Sequence, residues 1–163
     1  MSIRKYPGKA PKVFFRDSYF EVYINRNSTV EDSRTAIEQA LGSWFLRKAE
    51  EVIDERLRYY RDIVGVSYHR FCIKAQKTRW GSCSSKGNLN FNWRLVMAPQ
   101  WVLDYVVVHE LSHLKHMNHS KEFWGTVALY IPEYKKAVAW LKENGGSLKL
   151  QLEKEEDLWW KIR

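Results

Sequence analysis

Val106-Val107-Val108-His109-Glu110-Leu111-Ser112-His113-Leu114-Lys115-His116-Met117-Asn118-His119-Ser120 is the stretch on which the reading of this chain turns. It carries four of the five histidines. His109 and His113 flank Glu110 in an H-E-x-x-H pattern. On an α-helix, four residues turn the chain about 40° past a full turn and advance it about 6 Å. Both imidazoles therefore leave one face and can converge on a single ion at about 2.0–2.1 Å. Glu110 borders that face, where it suits a general base better than a ligand. The apolar run Val106–Val108 would bury the helix and anchor the histidines. The pattern predicts a helix from Pro99 to Met117; three β-branched valines would also fit a strand, so the helix rests partly on the chemistry of the motif.

A third ligand has to arrive from another direction. His116 shares the angular face, but on a straight helix its Cα lies about 10 Å along the axis from that of His109. Asn118 tolerates the left-handed conformation that ends helices, and Ser120 suits the N-cap of a following helix. A turn between two helices would present His119 back toward the ion, which makes His119 the expected third ligand. Glu133, on a separate helix, is the main alternative, with His116 and His69 behind it. Three protein ligands leave one coordination position open, as in catalytic rather than structural zinc sites. The expectation is one zinc per chain and metal-assisted hydrolysis, with Glu110 accepting the proton of a zinc-bound water as it attacks a carbonyl. Arg79, Tyr130 and Tyr134 are the candidate oxyanion donors.

Outward from this motif the chain reads as α+β, strands followed by helices. Lys12 to Asn25 predicts a β-hairpin turning at Asp17-Ser18. Thr29 to Ile63 predicts a long helical stretch, capped by Ser28 or Thr29 and with Gly42 as a candidate break. His69 to Ala75 reads as a strand, followed by a turn-rich link from Gly81 to Asn88. Leu89, Phe91, Trp93 and Leu95 alternate with Asn90, Asn92 and Arg94, the period of a half-buried strand. Asn90 and Asn92 either line a cleft or form its solvated face. Further helices are expected near Lys121–Tyr130 and Pro132–Glu143, stopped by Asn144-Gly145-Gly146.

Composition sets the outer bounds. The 163 residues are 45% apolar and 28% charged, enough for one globular domain of residues 1–163 with subregions 1–65, 66–146 and a tail 147–163. No run approaches the roughly 20 apolar residues of a membrane span. Met1 to Lys12 carries four basic residues and two prolines, so no secretory signal is expected and the cytoplasm is the expected compartment. Cys72 and Cys83 are too few for a disulfide framework. The net charge of +8 leaves nucleic acid as a candidate partner, although no block of consecutive basic residues appears.

Thr78-Arg79-Trp80-Gly81-Ser82-Cys83-Ser84, Leu89-Asn90-Phe91-Asn92-Trp93-Arg94-Leu95, Ala98-Pro99, the H-E-x-x-H block, Asn118-His119-Ser120 and Phe123-Trp124 together carry a resemblance. In this order they resemble the YgjP-like metallopeptidases, relatives of the SprT-like and WLM zinc peptidases, over about Ile63 to Tyr134. The resemblance implies zinc held by His109, His113 and His119, with Glu110 as the family glutamate, on a zincin-like fold with a small antiparallel sheet. It implies a polypeptide substrate held along a strand edge, either Leu89–Leu95 or Phe71–Ala75, with Arg79, Asn90, Asn92 and Tyr130 as candidate contacts. The family's described activities also include hydrolysis of nucleoside triphosphates. A phosphoanhydride hydrolase and a DNA-associated zinc protein are therefore the competing classes, although the sequence contains no P-loop.

Overall fold

The computed structural model describes residues 1–76 and 78–148 and is α+β. Each of its two sheets has three strands and is mixed, combining one antiparallel with one parallel pair. The antiparallel expectation thus holds for half of the strand pairs.

The chain divides into two compact units, one of them built on Met1–Trp44 and the other beginning at Phe45. In the first, β1 (Ser2–Tyr6), β2 (Lys12–Arg16) and β3 (Tyr19–Asn25) form a sheet in the order β1-β3-β2. The predicted hairpin is β2–β3. Asp17 and Ser18 both have positive φ, 49° and 66°, the requirement of the two-residue turn that matches strand twist. β1, which the sequence reading did not anticipate, pairs parallel to β3. Ile3, Val22, Ile24, Ile37 and Leu41 make this unit's core.

The long helix α1 runs Val30–Val64 without a break at Gly42. Thr29 starts it, its hydroxyl accepting from the Asp32 backbone N–H at 3.1 Å. From Phe45 onward α1 belongs to the second unit, where Arg56 forms a two-point ion pair with Asp104 at 2.6 and 3.0 Å.

That unit's sheet consists of β4 (Arg70–Lys74), β5 (Gly81–Cys83) and β6 (Asn88–Asn92) in the order β4-β6-β5. The predicted turn-rich link therefore contains a strand, β5. A tight turn joins it to β6, with Gly87 at φ 71° and its N–H bonded to Ser84 O at 2.9 Å. The strand predicted through Leu95 stops at Asn92. The Asn92 side chain accepts from the Arg94 N–H and caps a 3₁₀ turn over Trp93–Met97. Leu95 keeps its place in the core from that turn, fully buried. Helices α2 (Gln100–Ser112), α3 (Lys121–Tyr130) and α4 (Tyr134–Asn144) follow, and α2 packs against β5, α3 and α4. Because α2 is enclosed on several sides, it is apolar nearly all round. Val102, Leu103, Val106, Val107, Val108 and Leu111 are all buried.

Helix α2 is shorter than the sequence predicts, ending at Ser112 instead of Met117, with His113 as its C-cap still in helical conformation. Tight bonds from Leu114 N–H to Leu111 O and from Lys115 N–H to Ser112 O close the final turn. Asn118 does not adopt positive φ; among the described non-glycine residues only Asp17 and Ser18 do. The expected cap of α3 is present, with Ser120 Oγ accepting from the Phe123 N–H at 3.4 Å. Most of the tail 147–163, including Glu153, Glu155, Glu156 and Asp157, lies outside the described residues. None of the described helices is long and apolar enough to cross a membrane.

Candidate metal centre

His109, near the end of α2, His113, at its C-cap, and His119, just before α3, bring one ligand atom each within 4.8 Å of one another. His109 Nε2 and His119 Nε2 are 3.2 Å apart. Two nitrogens bound tetrahedrally to one ion at 2.0–2.1 Å would be about 3.3 Å apart, so the pair has the spacing a metal requires. The chain reverses between Ser112 and Ser120, which brings His119 in from the side that a single straight helix cannot supply.

The tautomers are set by what surrounds the rings. His113 Nδ1 lies 3.1 Å from His116 O, and a carbonyl only accepts, so Nδ1 carries the proton and Nε2 is left to bind. His116 thus contributes its backbone carbonyl, and its imidazole is outside the cluster. His109 Nδ1 faces the Tyr105 hydroxyl at 3.3 Å. Phe123, fully buried, packs on all three imidazoles at centroid distances of 4.5 to 4.9 Å. Trp124 stacks on His119, and Tyr134 stacks on Trp124. This apolar wall pushes His109 down to about 3, burial being the largest cause and the neighbouring His113 and His119 adding to it. Burial also lowers His113. Neutral imidazoles are the form that binds metal.

Glu110 is 4% exposed, and its Oε2 has no hydrogen-bond partner. Burial pushes its carboxyl up to about 8. An unpartnered carboxylate oxygen in a protein interior is costly, and Glu110 lines a cavity of about 300 Å³ together with His109, Arg79, Trp80 and Tyr105. Gly81 makes room for it. A Cβ at that position would lie 2.5 Å from Glu110 Oε1 and 2.7 Å from its Cγ. Cys83, on the same strand, is pushed up to about 11 by burial and then by the charge of Glu110, which keeps its thiol protonated at neutral pH. Burial, Glu110 and Tyr134 likewise push the Tyr105 hydroxyl up to about 12.

The profile described as "YgjP-like, metallopeptidase domain" matches residues 12–144. The chain belongs to the YgjP-like family. Among solved structures, this YgjP-like chain is similar to the metallopeptidase zymogen abylysin of Pyrococcus abyssi, at 22% identity and a TM-score of 0.51 over 56% of this chain and 93% of that one. It is also similar to the metallopeptidase zymogen jannalysin of Methanocaldococcus jannaschii, at 23% identity and a TM-score of 0.47 over 53% of this chain and 93% of that one. The first likeness shows a shared metallopeptidase-type fold. No curated protein matches the chain.

The other residues singled out in the sequence of this YgjP-like domain are more scattered. Arg79 lines the Glu110 cavity. Asn90 donates to Ser82 Oγ at 3.1 Å, across the β5–β6 pair. Asn92 is buried and donates to Gln76 O and Arg79 O, tying down the loop that carries Arg79. Tyr130 ends α3 and is not among the residues lining the cavity. Glu133 is exposed, pairs with Lys136 and stands outside the histidine cluster. Sequence reasoning assigned no role to Gly81, Tyr105 or Phe123. The motif blocks contain Gly81 and Phe123, but their roles follow from contacts between β5, α2 and α3.

Proposed function

We propose that this metallopeptidase-family chain is a zinc-dependent peptidase in which His109, His113 and His119 hold the ion and Glu110 is the general base. The observation that carries the reading is the buried, unpartnered Glu110 carboxylate, which shares a cavity with His109 of the three-histidine cluster. When bound, zinc supplies Lewis acidity to water and to a substrate carbonyl. In this reading Glu110 takes a proton from water and returns it to the leaving amine, and its raised affinity for protons supports both halves of that exchange. Tyr105 holds the His109 ring, and Phe123 excludes water from the back of the cluster.

The strand that would receive an extended substrate is reassigned. Of the two expected edges, the strand beginning at Leu89 is β6, which lies between β4 and β5 with both sides paired. β4 is one outer strand and β5 the other, and β5 is the one in contact with Glu110 through Gly81. A polypeptide added along β5 would pass the base.

The test is metal content together with peptide release from an unfolded protein, for the wild type and three variants. The expected result is about one zinc per chain and cleavage by the wild type. Glu110→Gln should keep the zinc and lose turnover by at least ~1,000-fold. His119→Ala should lose stoichiometric zinc, whereas His116→Ala should retain it. Zinc retained by His119→Ala would refute the ligand assignment. Phosphate release from nucleoside triphosphates without peptide cleavage would refute the peptidase reading.

A further inference from the structure

A second cavity, of about 440 Å³, adjoins the Glu110 cavity and shares Arg79, Trp80 and Leu141 with it. Its remaining lining includes Gln76, Arg94 and the glycine pair Gly145–Gly146. Two arginines line it and no acidic residue does. Among the described residues neither Arg79 nor Arg94 forms an ion pair. By contrast Arg56, the best-buried arginine in an ion pair, meets Asp104 with two hydrogen bonds.

Arg94 is also held in place. Its Nη1 donates to Gln76 O at 3.2 Å, its guanidinium lies 5.1 Å from the Trp93 ring centroid, and its Nε is buried without a partner. Asn92 donates to the same Gln76 O and to Arg79 O, fixing the backbone between them. Gly145 lets the end of α4 lie close to Trp80, since a Cβ there would come within 2.6 Å of the indole. The result is a positively charged cavity next to the proposed base, open to solvent on the side of the exposed Arg79 and lined on the other by the half-buried Arg94, which has no carboxylate partner among the described residues. The buried, unpartnered Nε of Arg94 is costly to leave unpaired, and an anion entering with its substrate would offset that cost.

Building on the peptidase reading above, we propose that this cavity is a substrate subsite for a carboxylate, in which Arg79 and Arg94 receive an acidic group lying a few residues from the scissile bond. Guanidinium binds carboxylate in a planar two-point geometry, and Arg79 bridges the two cavities. Strand residues advance about 3.3–3.4 Å each, so a chain crossing the shared wall moves from one cavity to the next within a few residues. A carboxylate on a polypeptide has two sources, an Asp or Glu side chain and the C-terminal carboxyl group.

The experiment digests a proteome-derived peptide mixture with the zinc-loaded full chain and reads the cleavage sites by mass spectrometry. The expected result is one of two patterns. Asp and Glu enriched about tenfold at one position within three residues of the bond would identify the side chain as the source. Cleavage at a fixed short distance from peptide C-termini would identify the terminal carboxyl group. Either preference should fall to background in Arg79→Gln and in Arg94→Met. The two variants are read separately because Arg94 also supports the Gln76 loop. The ratio of acidic to neutral sites is the measure, because a merely structural loss would lower both alike.

Cleavage with no acidic or terminal preference would overturn the subsite and leave the peptidase reading standing. The preference surviving in both variants would overturn it as well. No cleavage of any peptide by zinc-loaded protein would sink both, and Arg94-dependent phosphate release from a nucleoside triphosphate would reassign the cavity to phosphate.

Discussion

Glu110 shows how much one side chain's surroundings alter what it can do. Its carboxyl has an ordinary value of 4.5 in the open chain and about 8 in the folded, metal-free one, because burial disfavours the charge. Between those limits the folded state holds a proton that the unfolded state has released. Stability therefore falls as pH rises, by up to about 1.4 kcal/mol per pH unit for this group, and levels off above 8. His109 works in the opposite direction, losing stability as pH falls below its unfolded value toward 3, so the two oppose one another in mildly acidic solution. Urea unfolding of chelator-treated protein from pH 6.5 to 8.5 should show the decline in the wild type. Glu110→Gln, which cannot titrate, should lack it; a decline of equal size in both would place the proton elsewhere. At this scale the sequence was highly legible. The order His-Glu-x-x-His states which groups share a helix face, and the turn after it states that a third group returns. The tautomers were not legible, because His113 is oriented by the carbonyl of His116 and His109 faces the hydroxyl of Tyr105.

Elements position these side chains through contacts that local pattern does not encode. β5 is three residues, Gly-Ser-Cys, too short and too polar to announce itself as a strand. Yet its first residue abuts Glu110 so closely that no side chain fits between them. Gly81→Ala should leave the fold intact and displace the carboxylate by about an ångström, lowering kcat/KM by roughly 100-fold at unchanged zinc content. An unchanged rate would show that Glu110 has room the structure does not give it. Helix α2 is tied to α1 by Asp104 and Arg56, 48 residues apart. Burial pushes the Asp104 carboxyl up in spite of Arg56, so the intact pair adds little net stability. Breaking it is a different matter, since the arginine is then stranded. Asp104→Ala should cost about 3 kcal/mol in denaturant unfolding, and the double change Asp104→Leu with Arg56→Met should recover most of that. Additive losses in the double variant would contradict the buried-pair account. Strand alternation over-reached at Leu89–Leu95 because a 3₁₀ turn can also bury every second residue for a short distance, as Trp93 and Leu95 do here.

For the whole molecule, the proposed zinc site would link metal to folding, because its three histidines come from an α-helix, its C-cap and the segment before the next helix. Zinc bound only by the folded chain, at 100 to 1,000 times its Kd, adds about 2.7–4.1 kcal/mol, which raises Tm by roughly 5–15 °C. Calorimetry with zinc and with chelator should show that difference in the wild type and lose it in His119→Ala. An equal rise in the variant would mean that the stabilising ion sits elsewhere. By itself the sequence determined the α+β class and the family, and it supplied the residues proposed as metal ligands and base together with their spacing. Those are carried by local periodicity and by residue identity, which a linear string preserves. Only the tertiary structure decided where β5 lies, that β6 is enclosed, that Gly81 makes way for Glu110, and that Arg79 and Arg94 share a cavity with no acidic residue. These depend on contacts between segments far apart in the chain. There burial and packing, rather than local preference, decide which groups meet.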